Sequence, residues 1–417
     1  MTRAARALVP KLRFPKFRNS GSWTSRKLRD VVSRSTETFD PQNSFETPLL
    51  IDLENIESGT GRLLGVAQLA ERSSLKTKFR AGDVLFGKLR PYLRKFARPD
   101  FHGVSTSEVW VLRGRQISNA FLLHVVQTER FGRLANISSG SRMPRADWNI
   151  LADADFEIPN PDEQQEIADC LSSVDDLITV EERKLEALLQ HKQGLMQDLF
   201  PRPGKTLPRL RFPEFHGAGE WEEKRLRDLG TLISGLTYRP KDVRDNGLLV
   251  LRSSNIQNSE IILDDCVYVR YDINGANLTQ PNDILICVRN GSRSLIGKNA
   301  IVPKGMPVCT HGAFMTIFRA LCPQFARSLL QTTAFYEQVS ADLGATINSI
   351  NRSQLLKYRF VVPKPAEQQK IAGCLSALDD LISRQGGKLE ALRRQKQGLM
   401  QQLFPSLHHQ YSMSTER

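Results

Sequence analysis

The sequence predicts an α+β fold: two similar α/β bodies and two long repeated helices that pair as an antiparallel coiled coil, all related by a pseudo-twofold internal repeat. Three observations carry this. First, PNPDEQQEIADCLSSVDDLITVEERKLEALLQHKQGLMQDLFP at 159–201 returns at 363–405 as PKPAEQQKIAGCLSALDDLISRQGGKLEALRRQKQGLMQQLFP, with 28 of 43 positions identical and no gap. Second, each copy carries apolar residues at a seven-residue period. Third, the segments before the copies echo each other. KLRFPKF at 11–17 recurs as RLRFPEF at 209–215, and GSWTSRKLRDV from Gly21 as GEWEEKRLRDL from Gly219. A repeat of this length fixes the organisation before any local reading.

In chain order, residues 1–158 form the first body. Thr47–Leu53 and Val109–Leu112 read as strands, Ala81–Phe86 as a turn, an aspartate and then a buried strand, and Phe121–Thr128 as a helix. Phe156–Pro159 is a short extended run into the first long helix. Residues 159–203 are that helix with its ends. The prolines fix an extended entry, and Glu163 in the first turn suits the helix dipole. Its seam is Ile167, Leu171, Val174, Ile178, Leu185, Leu188, Leu195 and Leu199. Such a stripe makes a coiled-coil seam, about 50 Å long at ~1.5 Å per residue.

Residues 204–362 form the second body. Leu248–Leu251 and Phe314–Phe318 read as strands, Pro281–Cys287 as a turn, an aspartate and then a buried strand, Phe325–Val339 as one helix, and Tyr358–Pro363 as the extended exit. Residues 363–405 are the second long helix, with Glu367 in its first turn. Its seam is Ile371, Leu375, Leu378, Ile382, Leu389, Leu392, Leu399 and Leu403. Gly386-Gly387 weakens its middle by ~1 kcal/mol per glycine relative to alanine. Residues 406–417 read as a disordered tail.

Four seam positions are polar: Glu181, Lys192, Gln385 and Lys396. Polar seam residues set register. A register with Glu181 beside Lys396 and Lys192 beside Gln385 satisfies both layers and is the expectation here. The paired carboxylates Asp175-Asp176 and Asp379-Asp380 read as solvated faces or partner contacts.

The net charge of +13 is unevenly spread. Residues 1–158 carry +10, 159–203 carry −6, 204–362 carry +6 and 363–417 carry +3. Two basic bodies suit a polyanionic partner such as nucleic acid. No apolar run is long enough to span a membrane, and the basic start has too short an apolar core for a secretory signal. Cytoplasm is the expected location. Six cysteines without a CxxC pair or a histidine cluster argue against a zinc site or disulfide framework. Cys170 and Cys374 flank the seam and read as buried packing residues.

Motifs that carry catalysis are missing. GSRSLIGKN at 291–299 is the nearest approach to a phosphate loop, but its glycine spacing is wrong and Asn299 stands where Ser or Thr would hold magnesium. Asn160-Pro161-Asp162 lacks the aromatic residue that an adenine methyltransferase stacks on its base. There is no HExxH and no GxSxG. No metal ligand set emerges.

Candidate DNA contacts are clustered. Lys88, Arg90, Arg94, Lys95 and Arg98 crowd one segment with Tyr92 and Phe96. Ser141, Arg142 and Arg145 lie in SSGSRMPR at 138–145. The second body offers Arg289, Asn290, Ser292, Arg293 and Lys298, then Thr346, Asn348, Asn351 and Arg352. Arginine reads guanine, asparagine reads adenine, and lysine and serine hold phosphates. Each side chain alone reads as an ordinary solvated residue; the clustering points to DNA. The two bodies differ most in these loops, which suggests two related readers with different targets.

The doubled P-x-P-x-E-Q-Q-x-I-A, each followed by a leucine-rich helix ending in HKQGLMQDLFP or RQKQGLMQQLFP, resembles the specificity subunit of type I restriction–modification systems. The WxxxxLRD starts at Trp23 and Trp221 and the GDVLF/NDILI framework fit as well, with Asn282 where the family often has glycine. The resemblance implies two target-recognition domains, each reading one half of a split double-stranded DNA site. It implies helices that act as a ruler and dock two methyltransferase subunits. S-adenosylmethionine, ATP and magnesium would belong to those subunits and to the restriction subunits, an ATP-driven translocase and nuclease. None would bind this chain, which would carry no catalytic residue. Two other readings stay open from the residues alone. The missing motifs weigh against a self-contained DNA methyltransferase or nuclease, and the two differing basic bodies weigh against a coiled-coil scaffold without DNA binding.

Overall fold

The computed structural model describes residues 9–69, 74–137, 143–343 and 348–405; the tail from 406 lies outside the described residues. The chain divides into two compact units: Met1–Glu182 with Gly387–Arg417, and Arg183–Gly386. This division interleaves the linear segments. Each unit takes one body, the first half of one long helix and the second half of the other.

In the first unit, Val84–Gly87 is wholly buried and sits inside an antiparallel sheet ordered Val32–Arg34, Val109–Gly114, Val84–Gly87, Phe96–Ala97. A strand covered on both faces reads as an unbroken apolar run. A second sheet runs Thr38–Phe39, Lys76–Phe79, Gly103–Ser105, Leu50–Ile51, its last pair parallel. The strand expected over Thr47–Leu53 shrinks to Leu50–Ile51 at that edge. Thr24–Lys27 pairs with Asp155–Ile158, tying the start of the body to its exit.

The second unit repeats the central sheet and the pairing of the body's two ends, but orders its other sheet differently, with Leu248–Leu251 inside where Leu50–Ile51 lies at the edge. Gly230–Ser234, Met315–Ala320, Ile284–Cys287 and Asn299–Ile301 form one sheet. Val243–Arg244, Val267–Val269, Leu248–Leu251 and Cys309–His311 form the other, and Glu222–Arg225 pairs with Arg359–Val362. The turn before the central strand explains the glycine-to-asparagine exchange. Gly82 and Asn282 have φ of 83° and 71°, and asparagine is among the few side chains that enter this region readily. The aspartate that follows has one job in both units. Asp83 accepts the Arg80 N–H and a bidentate pair from Arg113 at 2.9 and 2.7 Å. Asp283 accepts the Gln280 N–H and both arms of Arg319 at 2.8 Å.

The single helix expected over Phe325–Val339 is two, Pro323–Leu329 and Thr333–Asp342. Thr332 between them is extended, and its hydroxyl donates to the Leu329 carbonyl at 2.7 Å. Thr128 does the same to Val125 between Asn119–Val125 and Glu129–Ala135. A threonine hydroxyl that competes for a carbonyl ends a helix.

The long helices span Pro161–Leu199 and Pro365–Leu403. Asn160 caps the first, its side chain accepting the Glu163 N–H at 2.9 Å. Glu163 is buried against Arg13, which donates twice at 2.7 Å; Arg211 does the same to Glu367 at 2.8 Å. These clamps explain why LRFP and EQQ recur together. Gln164 and Gln368 donate to the carbonyls of Pro159 and Pro363, locking each helix to its entry strand. Every seam residue is buried or half-buried, the first half of each helix meeting the second half of the other within one unit.

The register differs from the sequence expectation. In the first unit Lys396 pairs with Asp175 at 2.6 Å and Glu181 takes Lys388; in the second, Lys192 pairs with Asp379 at 2.6 Å. The helices are thus offset by nearly one heptad from a Glu181–Lys396 pairing. Asp175 and Asp379 are equivalent in the repeat, as are Lys192 and Lys396, so one contact satisfies both layers. This also corrects the reading of Asp175 and Asp379 as solvated; Asp379 takes Arg327 as well. Burial pushes the Asp175 carboxyl up and Lys396 pulls it back. Cys170 and Cys374 are half-buried, short of the full burial expected.

The LFP ends close each body. Phe404 packs on Trp23 and Phe121 at 6.2 and 5.5 Å, and Phe200 on Phe325 at 5.6 Å.

Candidate nucleic-acid interface

Both bodies build one frame at the end of the buried central strand. In the first, the Lys88 N–H donates to Glu108, the Ala146 N–H to Lys88 and the Arg90 N–H to Pro144, at 2.8–2.9 Å. In the second, Val288 donates to Phe314 at 3.0 Å, Ile350 to Val288 at 2.9 Å and Asn290 to Asn348 at 3.3 Å. Isolated bridges pair Leu89 with Arg145 and Arg289 with Ser349. The segments that sequence reasoning singled out separately, 88–95 with 143–145 and 289–293 with 348–352, are therefore neighbours.

Within this frame the side chains divide. Arg90 is exposed and makes no side-chain hydrogen bond or ion pair among the described residues, while Lys88 is half-buried. Three others are engaged within the body. Arg94 donates to the Gln127 carbonyl, Lys95 to the Leu53 carbonyl at 2.5 Å, and Arg145 to Glu108 at 3.1 and 3.2 Å. Arg94 and Lys95 thus fasten the loop. Arg90 and Arg94 both have φ of 51°, an unusual backbone for a residue with a Cβ. Between them Tyr92 is 55% exposed. Ser141 and Arg142 lie outside the described residues, as does Thr346.

In the second body Arg289 is exposed, its guanidinium 5.7 Å from the Phe314 ring centre. Asn290 is held by Ser253 at 2.9 Å, and Asn348 donates to Gly291 at 3.0 Å. Arg293 reaches the Leu343 carbonyl at 3.1 Å. Asn351 caps Arg352–Leu355 by accepting the Gln354 N–H. These four brace the loops, so their first role is structural. Lys298 is half-buried, and Arg352 is exposed on the short helix that Asn351 caps. Asn299, in the loop resembling a phosphate binder, is buried and donates to Gly297 and Leu330 at 2.9 Å. It is not placed to hold magnesium.

Sequence reasoning missed Glu108 and Phe314, which carry no motif. It also missed the clamps of Arg13 and Arg211, although two motifs of opposite charge repeating in step could have shown them. Among the described residues there is no group of metal-ligating side chains and no helix long and apolar enough to cross a membrane.

The two bodies share the sheet around the buried central strand, and each presents basic side chains from the same loop frame in different chemistry. The family model described as type I restriction modification DNA specificity domain matches twice, over residues 22–190 and 218–394. The chain belongs to that family. A StySPI specificity subunit from Salmonella potsdam is 28% identical over 41% of this chain and 39% of its own length. The MjaVIII specificity subunit of Methanocaldococcus jannaschii is 23% identical over 65% of this chain and 66% of its own. The EcoKI specificity subunit of Escherichia coli K12 is 29% identical over 38% and 36%. The chain thus aligns with under two fifths of the length of the first and third of these relatives, and about two thirds of the second. Among solved structures, the S subunit from M. genitalium matches with a TM-score of 0.60 at 14% identity, covering 96% of this chain and all of that one. A chain from a type I R-M system matches at 0.53 and 21%, covering 92% and 98%. These two likenesses concern the fold.

Proposed function

We propose that this chain is the DNA-reading subunit of a type I restriction–modification complex, with no catalysis of its own. The observation that carries this is the shared loop frame furnished with different side chains in the two bodies. Each body reads one half of a split target, and the differing loops give the halves different sequences. In this reading Arg90, Arg145, Arg289 and Arg352 meet DNA, supported by their exposure on the loop frame, and Lys88 and Lys298 serve phosphates. The long helices set the length of the unread gap and dock two methyltransferase subunits. S-adenosylmethionine, ATP and magnesium serve those subunits and the restriction subunits, in the cytoplasm.

Binding to duplex DNA titrated across salt tests the reading. Phosphate neutralisation makes log K fall linearly with log salt, at a slope of about −0.9 per neutralised phosphate. Tight binding with a steep slope is expected of the purified complex. Binding indifferent to salt, or absent from an assembled complex, would contradict it.

A further inference from the structure

The two bodies exchange chemistry at one position. Glu108 and Phe314 are equivalent, since each carbonyl accepts the N–H that follows the central strand, from Lys88 and Val288. The bridge beside it also matches, and in each body it carries one arginine. That arginine is on opposite sides, Arg145 facing Leu89 in one and Arg289 facing Ser349 in the other. In both bodies the arginine is held by residue 108 or 314.

The two holds differ, with similar consequences. Glu108 takes the Nε and one Nη2 hydrogen of Arg145. A guanidinium has five N–H bonds, so three are left, one from Nη1 and one from Nη2 lying side by side along its end edge. That edge has the spacing of the O6 and N7 acceptors of guanine. The pair is open to solvent, with side-chain exposures of 48% and 29%. In the second body the Phe314 ring lies 5.7 Å from the Arg289 guanidinium. A ring that holds a cation by its face leaves its N–H edges unoccupied. Phe314 is itself 56% exposed, an apolar surface that packing does not require.

We propose that Glu108 and Phe314 are positioning residues that present Arg145 and Arg289, each to one guanine in the half-site its own body reads. This rests on the DNA-reading function proposed above and adds the residues and the base. An exposed Arg–Glu pair contributes little to stability, so the position can be altered without unfolding the body.

The test uses the chain co-expressed with the methyltransferase subunit of its own locus, with methylated adenines mapped genome-wide. Arg145→Lys is expected to relax a single guanine in one half of the motif, with discrimination there falling about ten- to hundredfold, as for a lost bidentate contact. Glu108→Ala is expected to relax the same guanine, and the double variant to add nothing further, the mark of two residues acting as one. Phe314→Ala is expected to relax one guanine in the other half, with Phe314→Tyr restoring it. The proposal is overturned if Glu108→Ala leaves the motif intact, or if it and Arg145→Lys relax different positions. It is also overturned if Arg145→Lys weakens all sequences alike with a shallower salt slope, which would make Arg145 a phosphate contact. A wild-type chain in an active complex without a split motif would fail at an earlier step, sinking the DNA-reading function itself.

Discussion

Replacing Glu163 by glutamine should destabilise the first unit by about 3–5 kcal/mol, the cost of leaving one charge of a buried pair without its partner. The structure sets this magnitude. The side chains of Arg13 and Glu163 are 6% and 1% exposed, and two hydrogen bonds of 2.7 Å join them. Glutamine can accept only one of these without turning its amide N–H toward Arg13. Arg13 also holds the Gly21 carbonyl, so its movement loosens the entry to Trp23. The double change Arg13→Leu with Glu163→Leu should recover most of the loss, since a well-packed apolar pair often matches a buried ion pair. Urea unfolding followed by tryptophan fluorescence suits the question: Trp23, Trp110 and Trp148 lie in the first unit and only Trp221 in the second. The midpoint should fall with the m-value unchanged. A Glu163→Gln chain within about 1 kcal/mol of wild type would refute the argument that this clamp anchors the helix.

Acid should weaken the first unit through His124 and the second through His311, which burial also holds below its ordinary value. Burial, helped by the Lys396 charge, depresses the His124 imidazole to about 3. A base whose folded pKa is depressed gives stability that is complete above its unfolded value near 6.5 and is lost as pH falls toward 3. The loss between pH 7 and 5 is about 2 kcal/mol. His124→Ser copies Ser328 at the equivalent place of the second body and should flatten the first unit's stability over that range; an unchanged slope would contradict it. Gly386→Ala and Gly387→Ala should each stabilise by ~1 kcal/mol, because both are helical and an added Cβ meets nothing within 4 Å; thermal melts would show a rise, and a fall would mean that the helix departs from ideal geometry there.

The parts of the fold legible in the sequence are those written twice. The helices, their seams and the order of body and helix follow from 28 shared positions of 43. Leu248–Leu251 was readable to the residue because a strand covered on both faces shows as an unbroken apolar run. The register was not, because the seam pattern alone allows a shift of one heptad, and only Asp175, beside the seam, distinguishes the two. The break at Thr332 was hidden because threonine within an apolar pattern does not announce whether its hydroxyl will compete for a carbonyl. At the candidate interface, composition located the loops but not the roles within them. Arg94, Lys95, Arg293, Asn290 and Asn351 have the same types as the residues that would read bases, yet they brace the loops. Which arginine is braced and which is presented depends on neighbours far along the chain, such as Glu108 for Arg145 and Leu343 for Arg293.

The measurement that bears most directly on the account is the genome-wide map of methylated adenines made by this chain with its own methyltransferase subunit. The account predicts one motif of two specified halves separated by a gap of fixed length and free sequence. Exchanging the loops of one body should change one half alone. A continuous motif, a gap of variable length, or both halves changing when one body is exchanged would contradict it.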